Sequence, residues 1–335
     1  MNFYHLSDFS EAQVQSLFAR AAELSEGQPS ANLNASALGL FFLAPSLRTS
    51  ASFQRAAAQL NMQLVQLSGG SVWGLETADG VVMDGDAAEH IKEAAAVLST
   101  YVDALAIRAF PLRRSLQEDL ADPIMQSFIQ HCSVPVINME STRWHPCQAL
   151  ADRLTLEQLA IPRRGKLVLT WAWHPKALPH AVPNSTLTMA AQRGMDVVLL
   201  HPKGFELHDD VLAEAELLAA ANGGTLTVTS DRVAALQDAD VVYAKSWGSL
   251  QGWTNPELDA ELRQPLRDWC VTPEWMSGKA KFMHCLPVRR NVVVADEVLD
   301  SPASVVIQQA ANRLPAQTAI LEHLLCPAIQ GAASA

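Results

Sequence analysis

The pentapeptide Pro45-Ser46-Leu47-Arg48-Thr49 follows an apolar run at 38–43 and opens an alanine-rich stretch of helical pattern. A strand that runs into a helix N-terminus through Ser, Arg and Thr makes an anion cradle. Main-chain N–H groups, the positive end of the helix dipole, two hydroxyls and a forked guanidinium converge there, and a phosphate is the ligand they fit. Ser and Thr at that place also serve as plain helix caps, so the reading rests on company further along. His145-Pro146-Cys147-Gln148 stands just ahead of a second helical run, and His284-Cys285-Leu286-Pro287 closes a short apolar segment far down the chain. Arg108 directly follows the apolar run 104–107. A charge at a strand's carboxyl end is well placed for a ligand site, with a surface ion pair as the plain alternative.

These residues need a scaffold that brings strand ends together. Short β-rich runs alternate with longer helical ones, the pattern of doubly wound parallel sheets with helices on both faces. Strand candidates are 38–43, 63–67, 104–107 and 134–138 in the first half, and 166–171, 196–200, 225–229, 241–244 and 282–284 in the second. A helix over 146–159 ends at Pro162 and Gly165, and the domain junction falls on it. The 335 residues exceed one ordinary core, which gives an α/β chain of two domains. The domains expected are 1–148 and 149–308, with 309–330 as a C-terminal helical segment; 331–335 reads as a frayed tail. The loop 171–183 carries three prolines after a strand end; it either walls a substrate pocket or is a rigid connector.

Composition narrows the class of function. With 49% hydrophobic and 18% charged residues the chain is of ordinary globular type. The N-terminus lacks a cationic and apolar leader and no run is long enough to span a bilayer, so a cytoplasmic protein without membrane contact is expected. Five cysteines at irregular spacings fit neither a disulfide framework nor a zinc pattern and should be reduced thiols. A net charge of −11 excludes a nucleic-acid partner and requires local cations to draw in any anionic substrate.

Taken together, Ser46-Leu47-Arg48-Thr49, His145-Pro146-Cys147-Gln148 and His284-Cys285-Leu286-Pro287 resemble the three signature loops of the aspartate and ornithine carbamoyltransferase family, in the family's order and over nearly the whole chain. The resemblance implies an active site in the interdomain cleft, a final helix that packs back on the first domain, and a knotted crossing at the 171–183 loop. The reaction it implies is transfer of a carbamoyl group from carbamoyl phosphate, without metal or redox cofactor. Ser46, Leu47, Arg48, Thr49 and Ser50 would hold the phosphate, with Arg313 reaching it from the last helix. The family usually has a second arginine at the place of Ser50, so one cation is missing. Thr49, Arg108 and His145 would hold the carbonyl oxygen, and Gln148 the carbamoyl nitrogen, with Pro146 and Cys147 in the same loop. Cys285 and Leu286 would accept from the carbamoyl NH₂ through main-chain carbonyls. Against a nucleophilic Cys285 stands the lack of a third orienting group, and a Cys285→Ala variant is expected to keep most activity. No general base stands near the motifs; the departing phosphate can take the amine proton. Trp73 matches a tryptophan supplied by a neighbouring subunit, which implies a homotrimer with shared sites.

The acceptor is read from the stretch Val242-Tyr243-Ala244-Lys245-Ser246-Trp247-Gly248. It lacks the Ser-Met-Gly of ordinary ornithine transcarbamylases and resembles the branch that uses N-acylated ornithine. In that branch Glu140, His174 and Lys245 would contact the acceptor. A glutamate marks the acetyl-specific branch at the position of Ala88, and alanine there leaves room for, and does not repel, a succinyl carboxylate. Arg289 would pair with that carboxylate. The expected reaction is therefore carbamoylation of N-succinyl-L-ornithine in arginine biosynthesis, with N-acetyl-L-ornithine as the alternative acceptor. A catalytically inactive binding protein of the same fold is the alternative of another class. A nucleotide-dependent dehydrogenase is disfavoured because no Gly-x-Gly-x-x-Gly follows a strand.

Overall fold

A computed structural model of the chain describes residues 1–69, 73–111 and 113–326. Gly70 to Val72, the tail 331–335 and the rest of 327–335 lie outside the described residues. In chain order the strands are β1 (Ala37–Phe42), β2 (Gln63–Ser68), β3 (Leu75–Glu76), β4 (Glu89–His90), β5 (Ala104–Arg108), β6 (Val136–Glu140), β7 (Lys166–Trp171), β8 (Asp196–Leu200), β9 (Thr225–Thr229), β10 (Val241–Lys245) and β11 (Lys281–Met283). The helices are α1 (Glu11–Ser25), α2 (Leu47–Gln59), α3 (Ile91–Leu98), α4 (Leu116–Leu120), α5 (Pro123–His131), α6 (Pro146–Gln158), α7 (Ala181–Arg193), α8 (Asp209–Asn222), α9 (Arg232–Leu236), α10 (Pro256–Arg263), α11 (Asp296–Leu299), α12 (Val306–Ala311) and α13 (Arg313–Leu325). The fold is α/β, with parallel sheets in two compact units.

The first unit comprises 1–112, 117–147 and 313–335. Its sheet has the order β2-β1-β5-β6 and every pairing is parallel. β5 and β6 are buried throughout, as strands covered on both faces must be; β5 is apolar up to its terminal Arg108, whereas β6 also buries Asn138 and Glu140. The edge strand β2 alternates exposed and half-buried residues instead. Phe41, Ile107, Phe128 and Val136 share one core, in which Phe41 meets Phe128 edge to face at 5.7 Å. α13 packs on α1 and α2, fastened where buried Glu322 accepts from Arg20 Nε at 2.6 Å.

The second unit comprises 113–116 and 148–312. Its sheet has the order β11-β10-β7-β8-β9, again all parallel. α7 is buried along its whole length. It stops at Gly194, whose φ of +83° closes the helix in a left-handed cap that glycine adopts without a Cβ clash.

The expected C-terminal run 309–325 is two helices, broken at Asn312. The Asn312 amide is held by Thr155 Oγ1 at 2.9 Å and Gln158 Oε1 at 2.8 Å, and Pro315, which lacks an N–H, sits in the first turn of α13 where none is needed. Gln309 to Asn312 accordingly stay with the second unit, and Arg313 opens the segment that belongs to the first. Among the described residues no helix is long and apolar enough to cross a membrane.

Candidate active site

In an open α/β sheet, ligands bind at the carboxyl ends of the strands where the strand order reverses. In the first unit that point lies between β1 and β5, and in the second between β7 and β10. Most of the sequence-predicted residues follow strand ends of one or the other sheet, whereas Trp73 and Ala88 flank the separate ribbon β3-β4.

At the first, β1 feeds directly into α2. Ser46 caps α2, its hydroxyl accepting from the Thr49 N–H at 3.3 Å. Thr49 is buried, and its hydroxyl also receives Arg313 from the start of α13 at 3.1 Å. Arg48 and Ser50 are half-buried and Leu47 is exposed. The Ser50 hydroxyl accepts from Gln54 one turn on at 2.8 Å, so it is already engaged within α2.

Arg108 ends β5, opposite Glu140 at the end of β6, where the register shifts by one residue. Their side chains form a buried ion pair, so the alternative of a surface pair does not hold. Phe110 lies under the guanidinium at 4.6 Å. Arg108 Nε is buried without a hydrogen-bond partner. His145, just ahead of α6, places Nε2 3.6 Å from the same Glu140 oxygen. Glu140, expected among the acceptor contacts, thus lies in one cluster with Arg108 and His145. Pro146 begins α6. The Cys147 thiol is fully buried, contacts the Asn138 carbonyl at 3.4 Å and is pushed up to about 12 by burial, so it remains a neutral packing group.

Trp73 is exposed and its indole N–H donates to Glu89 at 2.7 Å. Ala88, also exposed, donates its N–H to the Gly74 carbonyl at 3.3 Å. The short parallel ribbon β3-β4 thus carries both residues side by side, a link that two separate sequence motifs do not reveal.

At the second reversal, the proline-rich loop after β7 is tied down. Ala172 donates to the Lys245 carbonyl at 3.0 Å, Trp173 to that of Trp269 at 2.7 Å, and Gly248 to that of Leu178 at 3.0 Å. His174 on this loop accepts from Arg289 Nε at 3.0 Å through Nε2. Its Nδ1 lies 2.9 Å from the Lys176 carbonyl and 3.0 Å from the Lys176 N–H, so the main chain at 176 orients the ring. Burial holds His174 below the usual imidazole range, and the charges of Arg289 and Lys245 add to that. Lys245 closes β10 with 9% of its surface exposed, and it forms no hydrogen bond or ion pair through its ammonium among the described residues. Arg289 likewise has no carboxylate partner there, whereas Arg290 is held by Asp296 and Asp300. Arg289 is exposed, but for the nearly buried Lys245 the lack of a counter-charge is unfavourable until an anion arrives.

Gln148 opens the second unit's share of α6 and donates its amide to Asp152 at 2.7 Å. His284 Nδ1 accepts the Leu286 N–H at 2.8 Å. That nitrogen is therefore not a base for Cys285, which argues against the nucleophilic reading. Leu286 has φ +55°, a conformation a leucine adopts only when its surroundings impose it, and it turns the Cys285-Leu286 main chain out of the strand line. The sequence reading missed Asp152, Tyr243 and Gln309. Tyr243 is a polar group in the apolar run 241–244, a signal that could have marked it; Asp152 and Gln309 sit among other polar helix residues and carry none.

Residues 1–158 match the family model described as aspartate/ornithine carbamoyltransferase, carbamoyl-P binding domain, and residues 178–324 match its Asp/Orn binding domain. The chain belongs to the aspartate/ornithine carbamoyltransferase family. It is thus a carbamoyltransferase in the class of its enzyme. It is 42% identical over 331 residues to the N-acetylornithine carbamoyltransferase of Xanthomonas campestris pv. campestris, covering 97% of each chain. It is 39% identical over 289 residues to the N-succinylornithine carbamoyltransferase of Bacteroides fragilis, covering 85% of this chain and 86% of the other. A solved N-acetyl-L-ornithine transcarbamylase variant with alanine for a glutamate, complexed with carbamyl phosphate and N-succinyl-L-norvaline, superposes with a TM-score of 0.93 at 41% identity, covering 97% of this chain and 100% of that one.

Proposed function

We propose that the chain transfers the carbamoyl group of carbamoyl phosphate to the δ-amine of N-succinyl-L-ornithine, giving N-succinyl-L-citrulline and phosphate in arginine biosynthesis. Acylornithine carbamoylation is supported by the relatives of both kinds. The succinyl choice rests on one observation: Lys245 and Arg289, on the loops at the second reversal, are two cations without a carboxylate partner among the described residues. N-succinylornithine brings two carboxylates, one on its α-carbon and one on the acyl group, whereas N-acetylornithine brings one. Ala88 adds to this by leaving no carboxylate where the acetyl branch is expected to have one.

In this reading the α2 N-terminus, Ser46, Arg48, Thr49 and Arg313 neutralise the phosphate, while Arg108, His145 and Thr49 donate to the carbonyl oxygen as it gains charge. A preorganised donor of this kind contributes on the order of 10²–10³ in rate. Gln148 and the Cys285 and Leu286 carbonyls accept from the carbamoyl NH₂. The neutral δ-amine attacks the carbonyl carbon, the C–O bond to phosphate breaks, and the amine proton leaves with the phosphate. Exposed Trp73, with Val82 and Met83 exposed on the same segment, is proposed to complete a neighbouring subunit's site in a homotrimer.

The second reading, N-acetyl-L-ornithine as acceptor, is favoured by the 42% identical relative. Incubation with carbamoyl phosphate and each acylornithine in turn decides between them by the citrulline-type product. More product from the acetyl compound would overturn the succinyl assignment, and product from neither would leave only a binding protein.

A further inference from the structure

Carbamoyl phosphate differs from other acyl phosphates only in its NH₂, so an enzyme that selects it must hold hydrogen-bond acceptors rigidly toward that nitrogen. The assigned acceptors, the Gln148 amide oxygen and the Cys285 and Leu286 carbonyls, do not hold themselves in place. An amide turns over at little cost, and a leucine at φ +55° relaxes unless it is restrained.

A buried polar network within the second unit connects the two. The Asp152 carboxylate, fully buried, accepts from Gln148 Nε2 at 2.7 Å and Gln309 Nε2 at 2.7 Å on Oδ1, and from the Tyr243 hydroxyl at 2.9 Å on Oδ2; Gln309 Nε2 also lies 3.2 Å from that hydroxyl. Gln309, also fully buried, uses its other end, Oε1, to accept the His284 N–H at 3.0 Å. The His284 ring in turn accepts the Leu286 N–H. One carboxylate therefore sets the polarity of every link, since a group that only accepts forces both glutamine NH₂ ends toward itself and both oxygens away from it. Burial and the charge of Asp152 hold the Tyr243 phenol well above its ordinary range, so it stays a donor.

We propose that Asp152, through Gln148 on one side and through Gln309 and His284 on the other, is the positioning residue that makes the enzyme select a carbamoyl over an acyl phosphate. This rests on the carbamoyl-transfer reading above and deepens it. Asp152 touches no substrate; it fixes the direction in which acceptors face.

The test compares affinity for carbamoyl phosphate with affinity for acetyl phosphate, which has a methyl in place of the NH₂, and for inorganic phosphate, in wild type and Asp152→Leu. A leucine offers no acceptor, so neither glutamine NH₂ is held and the amides can turn their NH₂ toward the ligand's NH₂. Carbamoyl phosphate affinity should fall by about tenfold or more relative to the other two ligands, the size of one buried hydrogen bond lost or reversed. Asp152→Asn keeps an oxygen for both glutamines, with its NH₂ donating to the Tyr243 hydroxyl, and should keep most of the preference. A parallel loss for all three ligands, or no loss of preference, in Asp152→Leu overturns the proposal. If Asp152→Leu does not fold, Gln309→Met provides the reading: it leaves the Asp152–Gln148 contact and releases His284, and an undiminished preference would then overturn the proposal. Failure of the enzyme reading is separate, because a wild type that does not prefer carbamoyl to acetyl phosphate fails before any variant is made.

Discussion

The reversal between β1 and β5 and the reversal between β7 and β10 are built on the same topological rule and assembled by opposite means. The first is built on a short-range nucleus: cap, cation and hydroxyl lie within one turn of α2, joined by Arg313 from the start of α13, and the guanidinium of Arg108 is matched by Glu140 on the adjacent strand. The second is long-range: Lys245, His174 and Arg289 come from segments far apart in sequence, and the acceptors in the same unit are directed by residues more than a hundred positions away. In the proposed reading the first would hold its ligand with main-chain dipoles that are present whenever the helix is present, and the second would depend on side chains that hold one another.

This contrast gives a ranking of effects. The largest is expected at the first reversal: Arg48→Ala removes a forked cation from the phosphate cradle and should lower kcat/KM for carbamoyl phosphate by about 10³, read from initial rates at saturating acylornithine. At the second, Lys245→Met should raise KM for the acylornithine by about 10- to 100-fold, the value of a charge-assisted hydrogen bond, with the carbamoyl phosphate KM nearly unchanged. If both constants move together, the division of labour between the two reversals is wrong.

Two smaller effects sharpen it. His180, in the loop that carries His174, donates to the Gly248 carbonyl at 2.7 Å and its pKa is lowered to about 4, chiefly by burial. Its unfolded value is near 6.5, so the contribution of its neutral form is present above pH ~6.5 and is lost as pH falls toward 4. That loss is about 3 kcal/mol. Trp253 lies 5.5 Å from the imidazole, so urea unfolding followed by tryptophan fluorescence from pH 7 to 4 should show this loss in wild type and much less in His180→Gln. Equal acid sensitivity in both would remove His180 from the account. The smallest effect is expected at Ala88→Glu, which should shift the preference between the two acylornithines toward the acetyl compound by about tenfold through like-charge repulsion, measured as a ratio of kcat/KM values.

The same contrast explains what could be read in the sequence. Ser46 to Thr49, Arg108 and His145 were legible because strand, turn and helix signals sit beside the chemical groups. The two-sheet α/β architecture was legible because parallel strands buried on both faces are apolar throughout. The pairing of Glu140 with Arg108 was not legible, since nothing in Ile137-Asn138-Met139-Glu140 says that β6 pairs with β5 at a shifted register. Asp152 and Gln309 were not legible at all: each looks like an ordinary helix polar residue until the fold buries both and brings them together. The break at Asn312 was masked by helical spacing that continues across it, although Pro315 marked where a new helix begins.

The account's central claim is that two cations at the second reversal receive two carboxylates. The most direct measurement is the ratio of kcat/KM for N-succinyl-L-ornithine over N-acetyl-L-ornithine, in wild type and in Arg289→Gln at one carbamoyl phosphate concentration. The account predicts a ratio above one that falls by about tenfold or more in Arg289→Gln, with the acetyl rate nearly unchanged. A wild-type ratio below one, or a ratio that Arg289→Gln leaves as it was, would contradict it.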